Sequence, residues 1–167
     1  SGALHLTKAA GAVNSGILKG SGTLIGNFSN PAAGTIEVAA GNVLAFTNAW
    51  TNAGLIDLQG PGALLSGAPI TNNNTIQGAG SLSADVANSG TIQAIGGTLA
   101  LTGSVSNNAS GTLAASPAGT LLITAGLALN AGTISLVGGT FDNGGHPLNN
   151  IGQITGYGVL RTGGLTN

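Results

Sequence analysis

The run Asn88-Ser89-Gly90-Thr91-Ile92-Gln93-Ala94-Ile95-Gly96-Gly97-Thr98-Leu99-Ala100-Leu101-Thr102-Gly103-Ser104-Val105-Ser106, closed by Asn107, holds three short extended phrases separated by Gly-bearing corners. The first phrase is Gly-Thr-Ile-Gln-Ala, the second Gly-Thr-Leu-Ala-Leu, the third Ser-Val-Ser, and Asn107 then restarts the cycle. Outward from this run the cycle recurs at Asn14, Asn30, Asn52, Asn72, Asn88, Asn107, Asn130, Asn150 and Asn167, in steps of 16, 22, 20, 16, 19, 23, 20 and 17 residues. Repeats of roughly 20–50 residues are the signature of stacked architectures. Variable steps around constant phrases mean that strands are kept while corners absorb insertions, as in Asn30-Pro31-Ala32-Ala33 and Asn107-Asn108-Ala109-Ser110.

Read down the columns, the first phrase places Leu4, Leu18, Ile36, Ile56, Ile76, Ile92, Leu113, Ile134 and Ile154 at one position. The next position is mostly polar: His5, Lys19, Glu37, Asp57, Gln77, Gln93, Ala114, Ser135 and Thr155. The one after that returns to small or apolar residues, from Leu6 and Gly20 through Val38 and Leu58 to Gly156. This period-2 alternation predicts strands with one buried face. The second phrase gives Leu24, Val43, Leu64, Leu82, Leu99, Leu121, Phe141 and Leu160; the third gives Phe28, Trp50, Ile70, Val86, Val105, Leu127 or Leu129, Leu148 and Leu165. Frequent Gly and β-branched residues, with no 3.6-residue period, speak against helix.

Three inward columns per cycle predict an all-β fold, a parallel β-helix (β-solenoid) of roughly triangular cross-section with about nine rungs, occupying residues 1–167 as a single domain. One rung cannot bury its own apolar row; stacking does so, and pairs each backbone group with the rungs on either side. At a strand spacing of about 4.8 Å, nine rungs make a rod of about 43 Å. The recurring Asn suits a corner, because it tolerates left-handed backbone and its amide can bond the Asn above and below.

Composition narrows the function. Charged residues make up 4% of the chain, net charge is −1, and the fixed cations are Lys8, Lys19 and Arg161, so no basic field exists for nucleic acid. Gly and Asn interrupt every apolar run well short of the 18–20 residues of a spanning helix, and no membrane insertion is expected. The absence of Cys removes disulfides and thiolate metal sites, and fits an exported protein.

The Asn-x-Gly-Thr-Ile and Gly-Thr-Leu phrases resemble those of bacterial exported β-solenoids: autotransporter passengers, filamentous-haemagglutinin-type adhesins and related strand-repeat surface proteins. The resemblance spans the whole chain and implies a right-handed solenoid that is secreted or displayed on the cell surface. It specifies no activity.

The ends extend the repeat. Ser1-Gly2-Ala3-Leu4-His5-Leu6 reads as a first phrase lacking its Asn, and the chain closes on Gly163-Gly164-Leu165-Thr166-Asn167. Laid end to end, Asn167 followed by Ser1-Gly2-Ala3-Leu4 repeats the motif at Asn88, which predicts a whole number of rungs and no capping element. The expectation is a self-assembly interface made by Ser1, Gly2, Ala3, Leu4, His5, Leu6, Leu160, Leu165, Thr166 and Asn167, through which copies of the chain stack into a filament, with lateral packing of rods also permitted. The alternative is a stalk segment of a longer surface adhesin.

Catalysis is not expected, nor a metal or cofactor. Glycoside hydrolysis needs two carboxylates on one surface, and Glu37 and Asp57 share an outward column, but no long loop or aromatic platform accompanies them; a solvated column with Lys19 paired to Glu37 is the simpler reading. His146, beside Asp142 in a Gly-Gly-His-Pro corner, lacks a third ligand or a nucleophile. Trp50 follows Phe28 in an apolar column and reads as core. The outward series Thr35, Thr75, Thr91, Thr112 and Thr133 is broken by Leu55 and Gln153, which argues against an ordered-water array.

Overall fold

The computed structural model describes Ala3–His5 and residues 11–167. It is an all-β parallel solenoid, and every strand pairing among the described residues is parallel. Eight complete turns run from Asn14 to Asn167, one for each step of the asparagine series, and the strands ahead of Asn14 belong to a further, partial turn. The third phrase forms a nine-stranded sheet from Ala12–Val13 to Gly164–Thr166. The first and second phrases together form a single twelve-stranded sheet instead of two separate ones. Leu55–Gly67, Thr75–Leu82, Thr91–Leu101, Thr133–Asp142 and Gln153–Arg161 each run through both phrases as one bent strand. The bend is a register shift, as between Gly78 and Gly80, whose φ values of 111° and 143° are open to glycine and strained for other residues.

The first-phrase column holds from Leu18 onward: Leu18 pairs with Ile36, and the file continues through Ile56, Ile76, Ile92, Leu113 and Ile134 to Ile154. Ile36 through Ile134 in this file are completely buried, each contributing about 1.5–3 kcal/mol of hydrophobic stabilisation. The third-phrase file likewise stacks Phe28, Trp50, Ile70, Val86 and Val105. In the later turn Leu127 is the inward residue and Leu129 stands outside.

The second-phrase column needs correction. Val43 and Leu64 stand at outward positions; Leu44 and Leu65 turn inward and continue into Leu82, Leu101 and Ile123. Leu99, Leu121, Phe141 and Leu160 form a neighbouring inward file. Val43-Leu44-Ala45-Phe46 is apolar in both phases of the alternation, so pattern alone is ambiguous, and the phase that buries the larger pair wins. Phe46 thereby enters the core against Phe28 and Trp50, with ring centroids 4.8 and 4.5 Å away.

The N-terminal strand also departs from expectation. Ala3–His5 pairs with Thr23, Leu24 and Ile25, so it belongs to the second phrase and not the first. Leu4 is opposite Leu24, and His5 does not head the Lys19 column. The distance to the next Asn accounts for this: Leu4 precedes Asn14 by 10 residues, closer to the 8 between Leu99 and Asn107 than to the 15 between Ile92 and Asn107. Ser1, Gly2 and Leu6 lie outside the described residues.

Candidate functional site

The third wall ends, turn after turn, on an asparagine that is turned into the corner. Asn14 Nδ2 donates to Asn30 Oδ1, and the same bond recurs from Asn30 to Asn52, Asn72, Asn88, Asn107, Asn130, Asn150 and Asn167, at 2.5–2.8 Å. Asn30, Asn52, Asn72, Asn88 and Asn130 are completely buried. The other amide proton of each internal member meets the backbone carbonyl of a residue two to four positions on, for example Gly54 O at 3.1 Å or Gly132 O at 2.9 Å. That carbonyl fixes which way the carboxamide faces, since a flipped amide would set oxygen against oxygen. All eight bonds therefore point the same way, toward the C-terminal end.

The glycine after each corner serves this packing. Gly34, Gly54, Gly111, Gly132 and Gly152 have ordinary negative-φ backbones, yet a Cβ at any of them would collide with a carbonyl or amide oxygen of the neighbouring turn. The requirement is close approach of backbones, not a left-handed conformation. One further buried asparagine was not legible in the repeat: Asn143 accepts from Leu127 N at 2.6 Å and donates to Leu127 O, His146 O and Pro147 O, closing the corner that carries Pro147. The run Asp142-Asn143-Gly144-Gly145 was its only signal.

Among the described residues no turn follows the one that closes on Asn167. Ile154 and Leu160 are only partly buried, and Leu165 is 49% exposed. With Asn150, Gln153 and Asn167 they line a hollow that is the open end of the solenoid interior. Leu160, Leu165, Thr166 and Asn167 thus share one end face. Ala3, Leu4 and His5 share one strand near the opposite end.

Glu37 and Asp57 are register partners on adjacent turns. Glu37 pairs with Lys19 at 2.7 Å, an exposed contact of small energetic weight. Asp57 accepts from Gln77 and Gln59. Asp142 accepts from Gly144 N and lies 3.7 Å from Arg161, so its partners are these and not His146. Asp85 accepts from Ser104 N. No group of three His, Cys, Asp or Glu residues is placed to hold a metal among the described residues. Trp50 packs in the core, edge-on to Phe28 at 5.2 Å, and its Nε1 finds no acceptor among the described residues. The Thr series lies along the outer first wall in the expected register. No helix of the described residues is long and apolar enough to cross a membrane.

Comparison of the chain with protein-family models, with curated proteins and with solved structures gives no match.

Proposed function

We propose that the chain is a structural protein of the cell exterior, secreted or held at the cell surface, whose solenoid units stack head to tail into a filament. The observation that carries this reading is the in-register parallel pairing of each turn with the next, a stacking that strand edges can extend from one copy to another. A contact of this kind is heterologous and does not close on itself, so it propagates. Low surface charge also lets rods lie side by side. The reading gives the chain no catalytic role, cofactor or nucleic-acid partner.

A second reading is favoured by the placement of Ala3–His5. A copy laid straight onto the last turn would set Ala3–His5 over residues 159–161 and Ala12–Val13 over Gly164–Thr166. The first-wall position between residues 153–156 and Ile17–Lys19 would stay vacant by one strand. In a stalk segment of a longer surface adhesin or autotransporter passenger, residues ahead of Ser1 fill that place.

The test is sedimentation and electron microscopy of the chain and of Leu160→Asp. Concentration-dependent rods that vanish in the variant, whose circular dichroism stays unchanged, support stacking. A monodisperse monomer at several hundred micromolar overturns the filament in favour of the stalk.

A further inference from the structure

We propose that the corner between the first and second walls is a self-pairing edge, along which two copies lie antiparallel with the Pro117-Ala118 tip of each seated in a notch of the other. The contact adds a sideways partner to the end-to-end stacking proposed above and does not depend on it.

The notch follows from uneven corner lengths. Ile56, Ile76 and Ile92 are register partners, and so are Leu65, Leu82 and Leu101. The step from Ile56 to Leu65 is 9 residues and from Ile92 to Leu101 again 9, but from Ile76 to Leu82 it is 6. The middle turn therefore falls short of both neighbours at this corner. It leaves a hollow of about 390 Å³, floored by Ala79, Gly80 and Ser81, with Gly60-Pro61-Gly62 on one side and Gly96-Gly97 on the other.

The tip lies two turns beyond the notch. The step from Leu113 to Ile123, partners of Ile92 and Leu101, is 10 residues. Its extra length closes as a turn, with Gly119 N donating to Ser116 O at 2.8 Å. Pro117 and Ala118 at its apex are exposed. Ala118 has a φ of 59° and is the one non-glycine residue with positive φ among the described residues, a conformation strained for a side chain with a Cβ. Strain held at an exposed apex marks a surface shaped for contact.

Two copies meet no charge barrier along this edge. Residues 58–65, 77–82, 93–101 and 113–123 contain no Asp, Glu, Lys, Arg or His. Ile95, 41% exposed, and Val137, 44% exposed, stand on the same corner, and covering them removes apolar surface from water.

The corner lengths choose the orientation. With a twofold axis at Gly96, perpendicular to both rods, antiparallel copies set the 10-residue corner against the 6-residue one twice, and the intervening 9-residue corners against each other. Parallel copies would set tip against tip and notch against notch. The antiparallel contact is isologous and closes, so it makes pairs.

The chain has no Cys, which permits a direct test, made in the Leu160→Asp background so that pairing is read apart from stacking. Equimolar Ser81→Cys and Pro117→Cys chains, mixed and oxidised at several hundred micromolar, are expected to give the mixed dimer at least about tenfold over either homodimer by intact mass. A predominant Ser81→Cys homodimer, the product of parallel pairing, overturns the proposal, and so does a statistical mixture. Without cysteines, Ile95→Asp sets two carboxylates across the axis. It is expected to turn the dimer into monomer in sedimentation equilibrium with circular dichroism unchanged, while Leu129→Asp, on the outer third wall, keeps the dimer. A dimer indifferent to Ile95→Asp, or monomer throughout, sinks the pairing. Dimers without longer rods from the unaltered chain leave the pairing standing and count against the filament; rods that form without pairs do the reverse.

Discussion

At the scale of single residues, the buried asparagines are the most demanding positions. Each serves two neighbours in the ladder, so Asn88→Ala removes both the side-chain acceptor of one Asn72 amide proton and the donor to Asn107 Oδ1. Each buried partner lost costs about 1–3 kcal/mol, and the urea midpoint of Asn88→Ala is expected to drop accordingly. Asn88→Leu, of similar bulk, is expected to be no better, which separates hydrogen bonding from cavity formation. The corner glycines give a matched contrast. Gly132→Ala drives a methyl into the Gly111 carbonyl and the Asn107 amide and should lower stability by more than about 2 kcal/mol. Gly164→Ala meets nothing within 4 Å and should be neutral, or stabilising by up to about 1 kcal/mol through the unfolded chain. Chemical denaturation of the two variants side by side decides the matter.

At the scale of strands and walls, the alternation in each phrase carries the fold, and how legible it was depends on what stood at both phases. Where one phase was polar, as in Thr35-Ile36-Glu37-Val38, the inward residues were readable outright. Where both phases were apolar, as in Val43 to Phe46 and Ala63 to Leu65, the sequence left the choice open and packing volume made it. The separation of first and second walls was also not readable, because a Gly corner and a Gly bulge look alike in sequence. The asparagine ladder was legible because it needs one residue type at one place in every turn. Its direction was not, since it depends on which carbonyl faces each amide. The placement of Ala3–His5 was recoverable by counting back from Asn14, but the alternation in Ala3-Leu4-His5 fits either phrase. The corrected register is itself testable. Leu44→Asp places a carboxylate in the core beside Phe46 and should unfold the N-terminal turns. Val43→Asp, at a 44% exposed site, should stay within about 0.5 kcal/mol of the parent. Trp50, the chain's single tryptophan and buried among Phe28 and Phe46, reports that difference by its emission wavelength.

At the scale of the whole molecule, stability is a sum over neighbouring turns, and among the described residues every strand pairing joins one turn to the next. Ionic terms contribute little: the Lys19–Glu37 and Arg161–Asp142 pairs are exposed on the cation side, and Lys19→Ala is expected to change the melting free energy by less than about 1 kcal/mol. What holds the stack is the inward apolar files, the ladder of amides and the backbone pairing between turns.

That each turn touches only the one before and the one after has a mechanical consequence. A tether drawing the two chain ends apart along the rod axis loads one terminal turn at a time, so the rod should yield by peeling from its ends rather than by a single rupture. Each turn released frees roughly 20 residues, or about 7 nm of extended chain. An optical-trap trace should therefore show a staircase of small, evenly forced steps. One large drop in tension would mean that distant turns are braced against each other.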